Sequence, residues 1–453
     1  MRQEKSDKRI FTLREEKPAK AVLRMGLPLV AGMFIMVLYN LVDTYFIGLT
    51  GDAYQLAAVN LAYPVMMIAI AISNMVSSGA ASLIARSLGA GDEELAERTL
   101  AVAFFLTVCN GVIIAAFGLL FLPQLVTLLG AKANTFDFTA QYVTVLLWGN
   151  VFTMGNYTIG QLLRSEGSVR LSVVGMVVGT VANILLDPLF IFGFGMQIRG
   201  AAIATVLGNA LGMLVSLWFY LRRKALLKLT LRKCLPKRKI LKEIFWVGVP
   251  ASLETLLTTA AYVINNNLAV SYGELAVAAM GVAQKIMTVG SYIYQGMAAG
   301  TQPVMGFNYG AKNYRRMLEV LRAGVLITSG MECIVMAVYG IFAPWLIGIF
   351  SDAPEVIATG SRVLRTIMLI LPFVGAVSMC RMSFQAMGKA VYAFMITLVR
   401  QIFLYIPLLL ILNRTFGFNG MLFAQPITEA VMMAASVTLL VRFLRKGATK
   451  DRE

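Results

Sequence analysis

The chain has 453 residues, 14% of them charged and 58% hydrophobic, with a net charge of +17 and a mean hydropathy of +0.75. An ordinary soluble domain carries roughly 25% charged and about 45–50% apolar residues, so a soluble globule is excluded and an integral membrane protein is expected. The apolar runs are long and unbroken and lack the alternation of barrel strands, which selects helices as the spanning structure.

In chain order, residues 1–20 are charged throughout and have no apolar core, so they read as a cytoplasmic tail and not as a cleaved signal. A span needs about 20 mainly apolar residues. Twelve are predicted, at 21–48, 54–86, 98–122, 135–163, 169–194, 199–221, 244–271, 275–307, 317–346, 358–384, 390–412 and 418–441. After the sixth, the connection RRKALLKLTLRKCLPKRKILK (222–242) holds ten basic residues. Others crowd the N-terminal tail, GAGDEELAER, GAKNYRR and the C-terminal FLRKGATKDRE. The opposite side has Lys132, Arg199, Arg362, Arg365 and Arg414. Basic residues gather on the cytoplasmic side of membrane proteins, so both termini are expected there, with the whole chain in the cell membrane. Charge spread along one membrane face points to anionic lipid headgroups as partners and not to nucleic acid.

The chain also repeats itself. Residues 56–92 overlay 277–313 without a gap, with eight of 37 positions identical, including Gly89-Ala90 on Gly310-Ala311. Gly26 and Pro28 fall on Gly248 and Pro250, and Gly200 on Gly420. A near-constant offset across separate spans means duplication. Each half has an even number of spans, so the repeat is parallel, about an axis along the membrane normal. The expected organisation is a tail 1–20, an N-lobe 21–221, a linker 222–243, a C-lobe 244–441 and a tail 442–453. The fold class is an all-α membrane protein of two six-helix lobes around a central cleft, taken as a monomer.

Few acids lie well inside the spans: Asp43, Asp187, Glu254, Glu332 and Glu429, with Asp137 and Glu319 at span ends. Such residues usually mark ion or proton pathways. In NILLDPLFIFG (183–193), Asn183 and Asp187 are four apart and share a helix face. Pro188 removes a backbone donor and frees the carbonyl four residues earlier. A carboxylate, an amide and a free carbonyl make a hard, oxygen-rich site for H⁺ or Na⁺; the alternative is a polar anchor between helices. Asp43 has Tyr39 one turn before it and Asn40 beside that, and Pro28 earlier in the same span marks a kink. Glu254 lies early in span seven, with Lys285 and Arg400 inside spans eight and eleven, and a Glu254–Lys285 or Glu254–Arg400 pair is the simplest use of those charges.

The chain contains no histidine, so proton chemistry falls to carboxylates. Cys109, Cys234, Cys333 and Cys380 lack metal-ligand spacing, so neither disulfides nor zinc is expected. No G-x-x-x-x-G-K-[ST] motif is present and no nucleophile–base cluster lies in the spans. Nucleotide hydrolysis, cofactors and enzyme activity are therefore not expected.

These stretches resemble the multidrug and toxic compound extrusion (MATE) family over nearly the whole chain. The resemblance rests on LPLVAGMFIMVLYNLVDTYFIG, GAASLIARSLGAGD, GVPASLE, QPVMGFNYGAKN and above all the N-x-x-x-D-P…GFG…G-A-A-x-A-T pattern of residues 183–205. It implies export of amphipathic, often cationic compounds by antiport against H⁺ or Na⁺, with the two lobes alternating. It implies a cation site at Asp43, Asn183, Asp187 and Thr205, with Tyr39 as neighbour and Pro28 as the bend of the first helix. Glu254 matches an acid of a second-lobe site that pairs with an acid in span ten. Span ten has none here (362–388), so the first lobe is preferred. A flippase for lipid-linked saccharides, of similar two-lobe architecture, is the alternative; it would need a cationic cleft, for which Lys285 and Arg400 are the only candidates.

Overall fold

A computed structural model describes residues 9–48 and 53–450, with all their side chains except those of residues 39–41, 43–45, 47, 53, 231 and 448–450. Among the described residues the regular structure is helix alone. The first half contains α1 (Pro18–Gly48), α2 (Ala53–Gly89), α3 (Glu93–Leu120), a short α4 (Leu122–Leu128), α5 (Ala133–Trp148), α6 (Asn150–Ser165), α7 (Val169–Pro188) and α8 (Gln197–Leu221). The second contains α9 (Arg238–Val270), α10 (Glu274–Gly310), α11 (Tyr314–Gly348), α12 (Pro354–Ile367), α13 (Leu371–Ala386), α14 (Ala390–Leu398) and α15 (Ile406–Lys450).

Among the described residues, ten segments are long and apolar enough to cross a membrane. Two more come from breaks inside expected spans. Residues 133–165 form one membrane-length stretch interrupted at Gly149, where a side chain would collide with Val206 of α8. The last stretch, Ala390–Gly447, divides at Gly417, whose φ of 62° lies in the left-handed region that glycine tolerates. Twelve membrane-length helical segments result among the described residues, as expected for a multi-pass membrane protein.

The repeat has a structural cause at its best-matched point. The amide of Asp92 bonds to the carbonyl of Ser87 and that of Asn313 to Asn308, each five residues back. This is the closing bond of a Schellman turn. The residue before each, Gly91 (φ 79°) and Lys312 (φ 56°), is left-handed. Asp92 and Asn313 then cap the next helix, accepting from the amides of Leu95 (2.9 Å) and Arg316 (3.2 Å). GAGD and GAKN are thus the same helix-stop, helix-start device.

The chain forms two compact units whose limits differ from those of the repeat. One comprises Ala31–Gly248 together with the chain up to Ile10; the other comprises Phe11–Val30 and the chain from Val249. Each unit therefore includes the opening segment of the other half's first helix. In the first unit, α9 lies on α2 so closely that a Cβ on Gly248 would stand 1.8 Å from the Met75 carbonyl, and one on Gly79 2.0 Å from that of Ile244. In the second unit, α1 meets α10 in the same way, with Gly26 against Met297 and Gly300 against Gly26. Small residues that let helix backbones touch are the usual basis of packing in lipid, where no hydrophobic drive joins the helices.

The connection between α8 and α9 is tied to the first unit. Glu166, fully buried between α6 and α7, accepts hydrogen bonds from the amides of Leu226 (3.0 Å) and Leu227 (2.9 Å) and from the Ser168 hydroxyl. Burial pushes its carboxyl above the usual carboxylate range, while Ser168, the two amides and Arg9 pull it back. Ala225 and Leu227 are buried beside it, and Lys233 pairs with Glu97 at 2.7 Å.

Candidate functional site

In the first unit the site is built by a glycine seam. The buried residues of α7 include Ser172, Gly175, Gly179, Asn183 and Asp187, spaced three or four apart and hence on one face. On α8, Thr205, Gly208, Gly212 and Ser216 face them. A Cβ on Gly179 would stand 2.8 Å from the Gly208 carbonyl, and one on Gly208 2.7 Å from the Gly179 carbonyl. Two small-x-x-x-small pairs, Gly175/Gly179 and Gly208/Gly212, thus bring the two backbones into contact. Asn183 is the next position along the seam on α7, and Thr205 the corresponding one on α8.

The polar residues meet where the glycines end. Asn183, Asp187 and Thr205 are 3%, 0% and 4% exposed. The Asn183 amide donates to the Thr205 hydroxyl at 3.4 Å. The Thr205 carbonyl accepts from Asn209 (2.9 Å), whose oxygen accepts from Asn156 of α6 (3.1 Å). The Asn183 amide oxygen is buried and has no donor among the described residues. An acceptor oxygen held in that way one turn from a buried carboxylate suits a cation or a proton shared with Asp187. α7 ends at Pro188, and a π-helical turn follows at Leu189–Gly193, a distortion common at functional sites. Gln55 of α2 then accepts from the Ile198 amide at 3.1 Å, which satisfies a donor at the start of α8.

The structure therefore brings Asn183 and Thr205 together and places Asp187 one turn further along the same buried face of α7. Asp43, Tyr39 and Asn40 lie on α1, but their side chains are outside the described residues. Pro28 is inside α1, two residues before the boundary between the units. Asn156 and Asn209 were not anticipated from the sequence; the signal that could have found them is the paired glycine spacing.

The second-unit expectations need correction. Glu254 is buried but pairs with Arg381 of α13, not with Lys285 or Arg400. Arg400, in a π-helical turn at Val399–Tyr405, pairs with Glu429 at 3.2 Å, and Lys285 is exposed. These charges are neutralised by partners 127 and 29 residues away, a distance at which sequence spacing carries no information. Arg381 is one of three basic residues of span ten, with Arg362 and Arg365, and that span lacks the acid of the family's second site.

A family model described as MatE matches residues 28–189 and 250–411, the same interval repeated at the offset that carries Pro28 onto Pro250. The multidrug export protein MepA of Staphylococcus saprophyticus is 26% identical over 446 residues, 98% of each chain. MepA of Staphylococcus aureus is 26% identical over 445 residues, again 98% of each. A solved outward-facing structure of a multidrug resistance MATE family transporter of the MOP superfamily is 30% identical, with a TM-score of 0.90 over 97% of this chain and 98% of that one. A MOP superfamily transporter from Pyrococcus furiosus, whose reversed binding-pocket polarity suggests a different function for it, has the same identity and TM-score. With the fold, the duplication and the buried polar seam all in place, the chain belongs to the MATE family of multidrug efflux transporters.

Proposed function

We propose that the protein is a secondary antiporter that exports amphipathic, often cationic compounds in exchange for H⁺ or Na⁺. The carrying observation is the Asn183 amide oxygen, buried without a donor one turn from Asp187. The ion binds at Asp187 and Asp43, with Asn183 and Thr205 as further oxygen ligands. Binding neutralises the carboxylates and removes the cost of burying them. α1 then bends at Pro28, and the two lobes exchange the side to which the drug site opens. Drug and ion compete because each shifts the equilibrium only by its differential affinity for the two states.

The protein acts in the cell membrane with both termini in the cytoplasm. Nine of the ten basic residues of 222–242 are exposed, Lys233 being spent on Glu97, which supports contact with anionic headgroups. The flippase reading keeps only Lys285 of its two candidate cations, since Arg400 is committed to Glu429. The test is Asp187→Asn in everted vesicles, with pH and Na⁺ gradients imposed one at a time and ethidium as the exported dye. Gradient-driven export is expected to stop in the variant, and whichever gradient drives the wild type identifies the ion. Undiminished export by the variant would remove Asp187 from the mechanism.

A further inference from the structure

The second unit contains a partly open cavity of about 160 Å³, walled by α9, α10, α12, α13, α15 and the π-helical turn at Val399–Tyr405. An engineered apolar cavity of about 150 Å³ takes one benzene ring, so this one is ring-sized. Its polar wall is made of amides and hydroxyls, notably Asn265, Gln284, Gln425 and Tyr405, and its apolar wall includes Met287 and Met421. Among the described residues no charged side chain lines it. Of the charges nearby in the same unit, Glu254 pairs with Arg381 and Arg400 with Glu429, while Lys285, next to the lining residue Gln284, is exposed and not part of the wall. Glu332 is fully buried and is not part of the wall.

We propose that this cavity binds an uncharged aromatic ring bearing an amide- or phenol-type hydrogen-bonding group. A cation entering it would leave water with no carboxylate in contact, and an anion would meet no ammonium or guanidinium. A neutral polar group loses only hydrogen bonds, which the amides and hydroxyls replace. Asn265 lines the cavity and its oxygen is already taken, accepting from the Tyr405 hydroxyl at 3.0 Å, which leaves its amide N–H groups as the donors for a ligand. The methionine thioethers suit a ring, since sulfur packs favourably at aromatic edges and the flexible chains adjust to different shapes. As a substrate subsite the cavity rests on the export reading above and extends it to uncharged compounds; as a binding site it does not depend on that reading.

The experiment compares benzamide with benzamidinium, which has nearly the same shape and a positive charge. Binding of each to the purified full-length protein in nanodiscs is measured by saturation-transfer NMR without any ion gradient. Benzamide is expected to bind, and benzamidinium at least about tenfold more weakly, a difference of ~1.4 kcal/mol. Gln284→Leu removes one amide at constant size, and Ser291→Leu fills space at a lining position. Each is expected to weaken benzamide at least about tenfold, and Gln284→Leu decides if Ser291→Leu fails to fold. No benzamide binding, equal or tighter binding of benzamidinium, or indifference to the substitutions would overturn the assignment. Dye export without benzamide binding removes the cavity site alone; benzamide binding without export removes the antiport reading alone.

Discussion

Gly208→Ala separates the role of the helix seam from that of the polar residues it carries. The added methyl would stand 2.7 Å from the Gly179 carbonyl oxygen and 2.8 Å from Asn183 Cβ. Neither is the far end of a flexible side chain, so α7 and α8 must part by roughly 0.7 Å to regain ordinary contact. Overpacking of this kind costs ~1–3 kcal/mol, and replacing a helical glycine by alanine returns ~1 kcal/mol. The net loss of stability is about 0–2 kcal/mol, a thermal shift of a few degrees. The effect on the site is larger, because the Asn183–Thr205 bond is already 3.4 Å long and does not survive further separation. Gradient-driven dye export is therefore expected to fall at least about tenfold, more than the loss of folded protein accounts for. Gly281→Ala is the control: it lies on an exposed face with nothing within 4 Å. It is expected to transport normally and to gain up to ~1 kcal/mol. If Gly208→Ala exports dye like the wild type, or the two alanine variants behave alike, the seam does not position the site.

Gly248→Ala, whose methyl would meet the Met75 carbonyl at 1.8 Å, should lower the unfolding temperature much more than Gly26→Ala, whose nearest obstacle is the movable Met297 sulfur at 2.5 Å. Equal shifts would mean that the α9–α2 contact is not backbone-limited. Arg381→Gln strands Glu254 and is expected to cost toward the low end of ~3–5 kcal/mol, since Arg381 is partly exposed. Glu254→Gln/Arg381→Gln should recover a large part of that loss in a double-mutant cycle, whereas additive losses would mean no coupling. The Glu166 clamp carries a pH dependence. Because its folded-state carboxyl is raised, its contribution is complete below the ordinary carboxylate range and is lost as pH rises through the raised value. Protection of the Leu226 and Leu227 amides against hydrogen exchange should therefore fall as pH rises above the ordinary carboxylate range, and Glu166→Gln should flatten that change. Rising protection in the wild type over that range would reverse the sign of the argument.

How much of this could be read in advance depended on the range of the interaction. Span lengths and the Asn183–Asp187 face were legible because they follow from periodicities of one helix. GAGD and GAKN were visible as a repeat, but their meaning needed backbone geometry: a left-handed residue followed by a capping side chain. The span expected at 135–163 was seen as one piece, since nothing near Gly149 in the sequence reports that Val206 approaches it from α8. Arg381 was missed as the partner of Glu254 for the same reason, and so was Glu166, whose two backbone partners lie 60 and 61 residues further on.

The duplication also has a consequence that runs beyond the match of one half to the other. Gly26 and Gly248 are equivalent in the repeat, and each is a point of close approach inside the unit formed mainly by the other half. Neither half of the chain can therefore complete its own packing unit, because each lacks the opening segment that the other supplies. A half expressed alone would leave Gly79 or Gly300 facing lipid, without the backbone that fits against it. The two halves expressed as separate chains, divided in the linker 222–237, should instead assemble, because both exchanged segments remain attached to their own halves. The linker is then needed for connection and not for packing, apart from the clamp at Glu166. That separation explains how one duplicated sequence can give two units that are each intact only when both copies are present.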